Sequence, residues 1–280
     1  MAAVGSFADA RSDGGDWLVR MEDLDRTREI PGAADSILRA LECFGLHWDG
    51  AVCYQSRRAD AYAAALELLS ALGLTYPCGC SRREIALRGR PGAEGPIYPG
   101  TCRDGLPPGR SPRSIRVRVA AAKVGFTDRI QGPSQQDLAA EVGDFVLRRA
   151  DGIHAYQLAV VVDDAEQGIT DVVRGADLLL STPRQIRLQQ HLGLPRPDYA
   201  HLPLAVDAGG RKLSKSLAAL PVDPAAPLPA LLGAWRFLGQ AAPPEPPGGV
   251  AAFWEWALSN WDPARVPGRI SLPGTIAIGQ

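Results

Sequence analysis

Residues 155–185 read AYQLAVVVDDAEQGITDVVRGADLLLSTPRQ, and their pattern of apolar and polar residues decides the predicted fold class. The nearly continuous apolar run from Leu158 to Val162 is typical of a strand that is buried on both faces of a parallel sheet. Helical periodicity follows in STPRQIRLQQHLGL (181–194), and HLPLAV (201–206) has the composition of another strand. This alternation of strands and helices predicts an α/β fold.

The sequence before this stretch has the same alternation. Residues 1–11 have the small-residue, amphipathic character of the C-terminal half of a helix, and residues 17–23 (WLVRMED) are typical of a strand that ends in charge. Further segments extend the pattern: helices at 31–45, 58–72 and 229–240, and strands within 114–119 and 143–152. The Cys-, Gly-, Pro- and Arg-rich stretch 78–112 interrupts the alternation and is predicted to be an insertion with a small fold of its own.

Composition and charge limit the possible functions. The chain has 280 residues, of which 46% are hydrophobic and 22% charged, as in an ordinary soluble globular protein, and its formal net charge is −1. This charge argues against a non-specific nucleic-acid binder. Residues 82–118 nevertheless hold nine Arg against Glu84, Glu94 and Asp104, a local net of about +6. This surface is either a solvated arginine face or a phosphate-binding one.

The sequence Lys212-Leu213-Ser214-Lys215-Ser216 follows the Gly-rich turn at 207–210. Two lysines and two hydroxyls on a short loop can neutralise and orient a triphosphate while its pyrophosphate leaves. A pentapeptide of this kind also arises by chance in basic loops, so position along the chain has to support the assignment.

Three cysteines cluster in the insertion, at Cys78, Cys80 and Cys102. Three thiolates can supply three of the four ligands of a tetrahedral zinc site, and sulfur ligands favour zinc over magnesium or calcium. The alternative is three unligated cysteines. Cys43 and Cys53 lie outside the cluster and are interpreted as ordinary small apolar residues.

The order of these motifs resembles the glutamyl and glutaminyl branch of the class I aminoacyl-tRNA synthetases. KLSKS resembles the second class I signature, and residues 155–185 and 18–50 resemble two other segments of that branch, so that the resemblance runs from residue 1 to about 219. It implies a Rossmann-like catalytic domain in residues 1–77 and 113–220, interrupted by a zinc-bearing insertion at 78–112. Residues 221–280 would then form a short helical region.

The resemblance also implies roles for individual residues. Glu22 would receive the ammonium group of L-glutamate, and Tyr156 and Arg174 would complete the amino-acid pocket, with Arg174 as a bidentate partner for a carboxylate. Lys212 and Lys215 would act on ATP, which is used with Mg²⁺, and Tyr98 would be the fourth ligand of a structural zinc ion. Without the resemblance, Glu22 could be a solvated strand end, Tyr156 a core aromatic and Arg174 a surface ion pair. Asp163 and Asp164, placed at the end of the predicted strand, receive no role.

The implied activity is ATP-dependent formation of glutamyl-adenylate and transfer of the glutamyl group to queuosine in the anticodon loop of tRNA(Asp). The Pro-rich chain after Ser216 is too short for the helical anticodon-binding region of longer members, and the arginine-rich segment would lie against tRNA. We expect a monomer in the cytoplasm with no membrane association.

Two alternatives remain open: a shortened enzyme that charges the 3′ end of tRNA, and an inactive tRNA-binding paralogue. The second arises because the family has an HxGH-like signature after its first strand, and none of the four histidines, His47, His154, His191 and His201, lies in such a motif. Either a start codon assigned too late or a real truncation would explain this.

Overall fold

The computed structural model describes residues 1–25, 30–119, 123–213 and 222–274 of the chain. Its helices are α1 (Ala2–Ser12), α2 (Ala33–Cys43), α3 (Ala59–Ala71), α4 (Arg82–Arg88), α5 (Leu138–Glu141), α6 (Tyr156–Glu166), α7 (Thr182–Leu192), α8 (Pro227–Phe237) and α9 (Val250–Ser259). Its strands are β1 (Arg20–Met21), β2 (Cys53–Tyr54), β3 (Thr75–Cys78), β4 (Ser114–Val117), β5 (Lys123–Asp128), β6 (Gly132–Asp137), β7 (Val146–Arg148), β8 (Asp171–Gly175), β9 (Asp198–Leu202), β10 (Leu204–Val206) and β11 (Ser271–Pro273).

The strands pair in both directions. β1 pairs with β2, β8 with β9 and β10 with β11 in parallel, and the register of the second pair sets Arg174 opposite His201. β3, β4 and β7 form an antiparallel sheet, and β5 and β6 form an antiparallel hairpin. The α/β class predicted from sequence is therefore confirmed, with parallel pairing concentrated where β1 and β8 meet the cleft described below.

The prediction of a buried strand at Leu158–Val162 is wrong, because these residues form the middle of helix α6. Every residue from Leu158 to Asp164 is buried, and α6 packs against α3, α7 and β7. A helix that is covered on all sides has the same uninterrupted apolar run as a doubly buried strand, so the sequence pattern does not separate them. Asp163 and Asp164 consequently lie near the end of a helix rather than at the end of a strand.

The other predicted elements differ less from the structure. Helices occur at all the predicted positions, but the strand predicted in WLVRMED shortens to the two residues of β1. The predicted strand HLPLAV is divided at Pro203 between β9 and β10, as expected for a residue that cannot donate a backbone hydrogen bond. Helix α9 was not predicted. The proposed division of the chain at residues 77, 112 and 220 stays a prediction.

Two apolar clusters hold the elements together. The larger one lies among α3, α6, α7 and the strands β4, β5, β7 and β9. The second joins α1 to α8 and α9, and its large side chains are Phe7, Phe44, Trp235, Phe253 and Trp254. The Trp261 indole N–H also donates to Asp9 Oδ1 of α1 at 3.2 Å. The C-terminal helices thus fix α1, which in turn contacts β8.

Among the described residues, no helix is both long enough and apolar enough to cross a membrane.

Candidate amino-acid site and metal centre

A cleft of about 570 Å³ opens between α1, β1, α6 and β8. Glu22, Tyr156 and Arg174, the three residues predicted for the amino-acid pocket, all line it. Glu22 directly follows β1, Tyr156 is the first residue of α6, and Arg174 lies in β8. Three segments far apart in sequence are therefore brought to one cleft, although their binding roles stay predictions.

Glu22 is one of several acidic residues that line this cleft. Its side chain is 44% exposed, and its Oε1 lies 3.9 Å from Arg20 Nε. Partial desolvation raises the pKa of Glu22 above its ordinary value, and the Arg20 guanidinium opposes that rise. Arg20 is held in place because its Nη2 donates to Asp164 Oδ1 at 2.7 Å and its Nη1 to Gln167 at 2.8 Å. Glu22 is thus an accessible carboxylate suited to a cationic group.

Arg174 lines the cleft as Arg20 does, and most of the Arg174 guanidinium is engaged with the protein. Nη2 donates to Gln185 Oε1 at 2.7 Å and to Thr182 Oγ1 at 2.9 Å, and Nε donates to His201 Nε2 at 3.0 Å. Nη1 lies 3.4 Å from the Tyr156 hydroxyl. The Nη1 end, beside Tyr156, is the part of Arg174 that a ligand carboxylate in the cleft can reach.

Behind Arg174 lies a pair of buried residues that the sequence analysis did not identify. His201 Nδ1 is 2.6 Å from Asp128 Oδ2, and both side chains are fully buried. Burial lowers the pKa of His201. Burial alone would raise the pKa of Asp128, but hydrogen bonds from His201 and from backbone N–H groups bring it below its ordinary value. The sequence offered only a histidine, His201, at the start of the predicted strand 201–206.

Asp163, which the sequence analysis placed at a strand end, instead connects α6 to α3 and to the residues just before α3. Its fully buried carboxylate accepts hydrogen bonds from Arg58 Nε at 2.6 Å, Gln55 Nε2 at 2.7 Å and the Tyr62 hydroxyl at 2.8 Å. Three donors, one of them a guanidinium, satisfy the hydrogen-bonding capacity of this buried carboxylate. This arrangement anchors the helix that carries Tyr156 into the cleft.

The three cysteines of the insertion come together as a metal-binding group. The Sγ atoms of Cys78, Cys80 and Cys102 all lie within 4.8 Å of one another. The Tyr98 hydroxyl is 3.4 Å from Cys78 Sγ and 3.8 Å from Cys80 Sγ, and it accepts the backbone N–H of Cys102 at 2.9 Å. The three sulfur atoms are close enough together to hold a metal ion such as zinc, and the role of Tyr98 as a fourth ligand stays a prediction.

Hydrogen bonds and nearby cations favour the thiolate form of Cys78. Burial alone would raise the pKa of Cys78, but hydrogen bonds with Tyr98 and Arg116 lower it to about 7. The Arg116 guanidinium lies 3.9 Å from the centre of the Tyr98 ring, and Arg110 Nη1 lies 3.7 Å from Cys80 Sγ. A metal requires deprotonated thiols, so these cations support the assignment of Cys78 as a ligand.

The arginine-rich segment separates into two groups. Arg103 pairs with Asp144, Arg110 with Glu84, and Arg116 is buried and donates to the Asp144 carbonyl. The other group is exposed and includes Arg82, Arg83, Arg88, Arg90 and Arg113. A second cleft, of about 490 Å³, is lined by Arg88, Arg90 and Arg103. The exposed group is the part of the segment that is available to an external polyanion.

Only the beginning of the KLSKS sequence belongs to the described residues. Lys212 Nζ lies 2.7 Å from Asp177 Oδ2, and this pair joins the start of the loop to the turn that follows β8. Lys215, the predicted ATP-contacting lysine, lies outside the described residues, as do Ser214 and Ser216.

Comparisons with known proteins agree with the resemblance found in the sequence. The family model for the catalytic domain of class I tRNA synthetases (E and Q) matches residues 1–224. The glutamyl-Q tRNA(Asp) synthetase of Chromobacterium violaceum is 54% identical over 272 residues, covering 97% of this chain and 91% of that protein. Its counterpart from Geobacter sulfurreducens is 56% identical over 276 residues, covering 95% and 88%.

Solved structures support the fold. The crystal structure of glutamate-tRNA synthetase from Elizabethkingia anophelis matches 99% of this chain with a TM-score of 0.79 and 24% identity. This chain spans 65% of the length of that synthetase, and at this identity the likeness concerns the fold alone. The sequence similarity goes further: the chain belongs to the class I tRNA synthetases of the E and Q type, and within them to the glutamyl-Q tRNA(Asp) synthetases.

Proposed function

We propose that this protein activates L-glutamate with ATP and transfers the glutamyl group to queuosine in tRNA(Asp). The observation that carries the proposal is an identity of more than half over nearly the whole chain to glutamyl-Q tRNA(Asp) synthetases. The cleft that joins Glu22, Tyr156 and Arg174 supports it, because it offers a carboxylate for the ammonium group of glutamate and a guanidinium for its side-chain carboxylate.

Glutamate is recognised by opposite charges at two points of the cleft. Glu22, at the end of β1, accepts hydrogen bonds from the substrate ammonium group. Arg174 Nη1 and the Tyr156 hydroxyl donate to the side-chain carboxylate. Glutamine carries a neutral amide in place of that carboxylate and so loses a charge-assisted hydrogen bond. The proposed site therefore selects glutamate over glutamine.

Activation joins the α-carboxylate of glutamate to the α-phosphorus of ATP. A carboxylate oxygen attacks the phosphorus, the bond to the leaving pyrophosphate breaks, and glutamyl-adenylate forms. A nucleophile on queuosine then attacks the carbonyl carbon, and AMP leaves. Lys212 and Lys215 supply positive charge for the triphosphate, together with Mg²⁺, while charge builds up on the leaving pyrophosphate. Lys212 exchanges its partner Asp177 for phosphate in this step.

The insertion serves binding rather than chemistry. Cys78, Cys80, Tyr98 and Cys102 would hold a structural zinc ion that joins the end of β3 to the loop before β4. The exposed arginines of this region neutralise tRNA phosphates, so binding weakens steeply with salt. We also propose that the protein is a monomer and that it works in the cytoplasm.

The test combines two assays on the purified chain. In ATP–pyrophosphate exchange, we expect label to enter ATP with glutamate and not with glutamine. With radioactive glutamate, we expect label on tRNA(Asp) that carries queuosine and none on the same tRNA without queuosine. Equal labelling of both tRNAs would show an enzyme that charges a 3′ end. Absence of exchange, with and without tRNA, would contradict the proposed activation, and retained tRNA binding in that case would identify an inactive tRNA-binding protein.

A further inference from the structure

We infer that His201 is a positioning residue for glutamate recognition: Asp128 holds it as one neutral tautomer, in which Nε2 accepts the Nε–H of Arg174 and fixes the guanidinium. The inference rests on the proposed function, because it takes glutamate as the ligand that Arg174 meets. The three residues come from three strands, with Asp128 ending β5, His201 in β9 and Arg174 in β8.

The contact between Arg174 and His201 determines where the imidazole carries its proton. Arg174 Nε has one hydrogen and can only donate, and its distance to His201 Nε2 is 3.0 Å. Nε2 must therefore present its lone pair, and the proton of the neutral ring resides on Nδ1. That nitrogen is 2.6 Å from Asp128 Oδ2, which accepts its N–H. Hydrogen bonds on both sides of the ring specify the same tautomer.

Asp128 is itself fixed by the backbone. Its Oδ1 accepts the N–H groups of Gln131 at 2.8 Å, Ile130 at 3.0 Å and His201 at 3.1 Å. With three donors on Oδ1, the other oxygen remains for the imidazole. The carboxylate thus cannot rotate without leaving buried donors unpaired, which would cost about 1–3 kcal/mol for each of them.

The surroundings of His201 keep it neutral. The ring is fully buried, stacks on Tyr199 at a centroid distance of 6.2 Å, and has Thr182 Oγ1 at 3.3 Å from Nε2. The cation that faces it is Arg174, whose charge opposes a second positive charge on the ring. If Nε2 were protonated, its hydrogen would also face the hydrogen on Arg174 Nε, and the hydrogen bond between the two nitrogens would be lost.

The consequence for the ligand follows from the geometry of Arg174. Three acceptors, on His201, Thr182 and Gln185, define the plane of the guanidinium and leave Nη1 beside Tyr156. Without His201 as the acceptor for Nε, the plane of the Arg174 guanidinium can rotate. This rotation moves Nη1 away from the carboxylate of the bound glutamate. Misplacement by about 1 Å costs up to about 100-fold in a positioned site. Glutamate affinity should therefore fall, and ATP affinity should not.

Asp128→Asn tests the tautomer at almost constant shape. The three backbone N–H groups require the amide oxygen at the Oδ1 position, so the amide NH₂ must face His201 Nδ1. The imidazole then accepts at Nδ1 and carries its proton on Nε2, against Arg174. We expect the glutamate KM in ATP–pyrophosphate exchange to rise about 10-fold or more, with the ATP KM unchanged.

Substitutions of His201 give a matched pair. The side-chain amide of His201→Gln reaches the position of Nε2 and can still accept from Arg174, whereas that of His201→Asn reaches only the position of Nδ1. We expect His201→Gln to keep the glutamate KM within about threefold of the original and His201→Asn to raise it about 10-fold or more. Equal values for the two variants would contradict the inference.

Nitrogen-15 NMR of the imidazoles supplies a readout that a purely structural role would not change. The chain has only four histidines, so the signal of His201 is identified by its loss in His201→Gln. We expect a protonated Nδ1 in the unaltered protein and a protonated Nε2 in Asp128→Asn. A protonated Nε2 in the unaltered protein overturns the inference, as does an unchanged glutamate KM in Asp128→Asn. Absence of glutamate-dependent exchange in the unaltered protein instead overturns the proposed function, and with it the role inferred here.

Discussion

Replacement of Tyr62 by Phe measures how strongly the buried carboxylate of Asp163 holds helix α6. Both side chains are fully buried, and the Tyr62 hydroxyl donates to Asp163 Oδ2 at 2.8 Å. The substitution removes one of the three side-chain donors described for that carboxylate and leaves the ring in place. A hydrogen bond to a charged group contributes about 1.5–3 kcal/mol, so the free energy of unfolding should fall by that amount.

The assay is urea denaturation followed by tryptophan fluorescence and circular dichroism. At an m-value of about 3 kcal/mol/M, the midpoint should fall by roughly 0.5–1 M, with the slope unchanged. Tyr54→Phe is the matched control, since the Tyr54 hydroxyl has no hydrogen-bond partner within the described ranges, and its shift should stay below about 0.5 kcal/mol. Equal midpoints for Tyr62→Phe and Tyr54→Phe would refute the view that these donors to Asp163 anchor the helix.

Three further predictions concern the metal centre and the substrate site. Cys80→Ser should release zinc, measured by mass spectrometry of the purified protein, whereas Cys43→Ser, at an exposed cysteine outside the cluster, should retain one ion per chain. Full zinc content in Cys80→Ser would contradict the ligand assignment. Glu22→Gln should raise the glutamate KM by about 10-fold or more and leave the ATP KM unchanged. Desolvation raises the pKa of Glu22, so the glutamate KM of the unaltered protein should increase as the pH falls, beginning at a higher pH than for an ordinary carboxyl group. If Glu22→Gln shows the same pH profile, a group other than Glu22 is responsible for it. Lys215→Ala should slow ATP–pyrophosphate exchange by about 100-fold with an unchanged thermal midpoint, and normal exchange would remove Lys215 from the ATP site.

The residues predicted for the site were found through the order of motifs along the chain. Glu22, Tyr156 and Arg174 belong to segments that resemble a known family, and the cysteine spacing carries its own chemistry. Each of these signals is local in sequence. The structure adds that these segments line one cleft and that the three cysteine sulfur atoms lie within 4.8 Å of one another.

The features that could not be predicted from the sequence depend on tertiary contacts. An apolar run such as Leu158–Val162 lacks the period that separates helix from strand, and its helical state follows from packing between α3 and α7. The partners Asp128 and His201 are 73 positions apart, and no local pattern connects them. Helix α9 consists mostly of apolar residues between Pro- and Gly-rich segments, and burial against α1 and α8 gives it a defined place.

The position of the glutamyl group on tRNA separates the proposed enzyme from one that charges the 3′ end. Queuosine-containing tRNA(Asp) is incubated with the protein, ATP and radioactive glutamate, and is then cut by nuclease into fragments that separate the anticodon loop from the 3′ end. If the proposed function is correct, label is found in the anticodon-loop fragment alone. Label confined to the 3′-terminal fragment would contradict it and would identify an enzyme that charges the end of the acceptor arm.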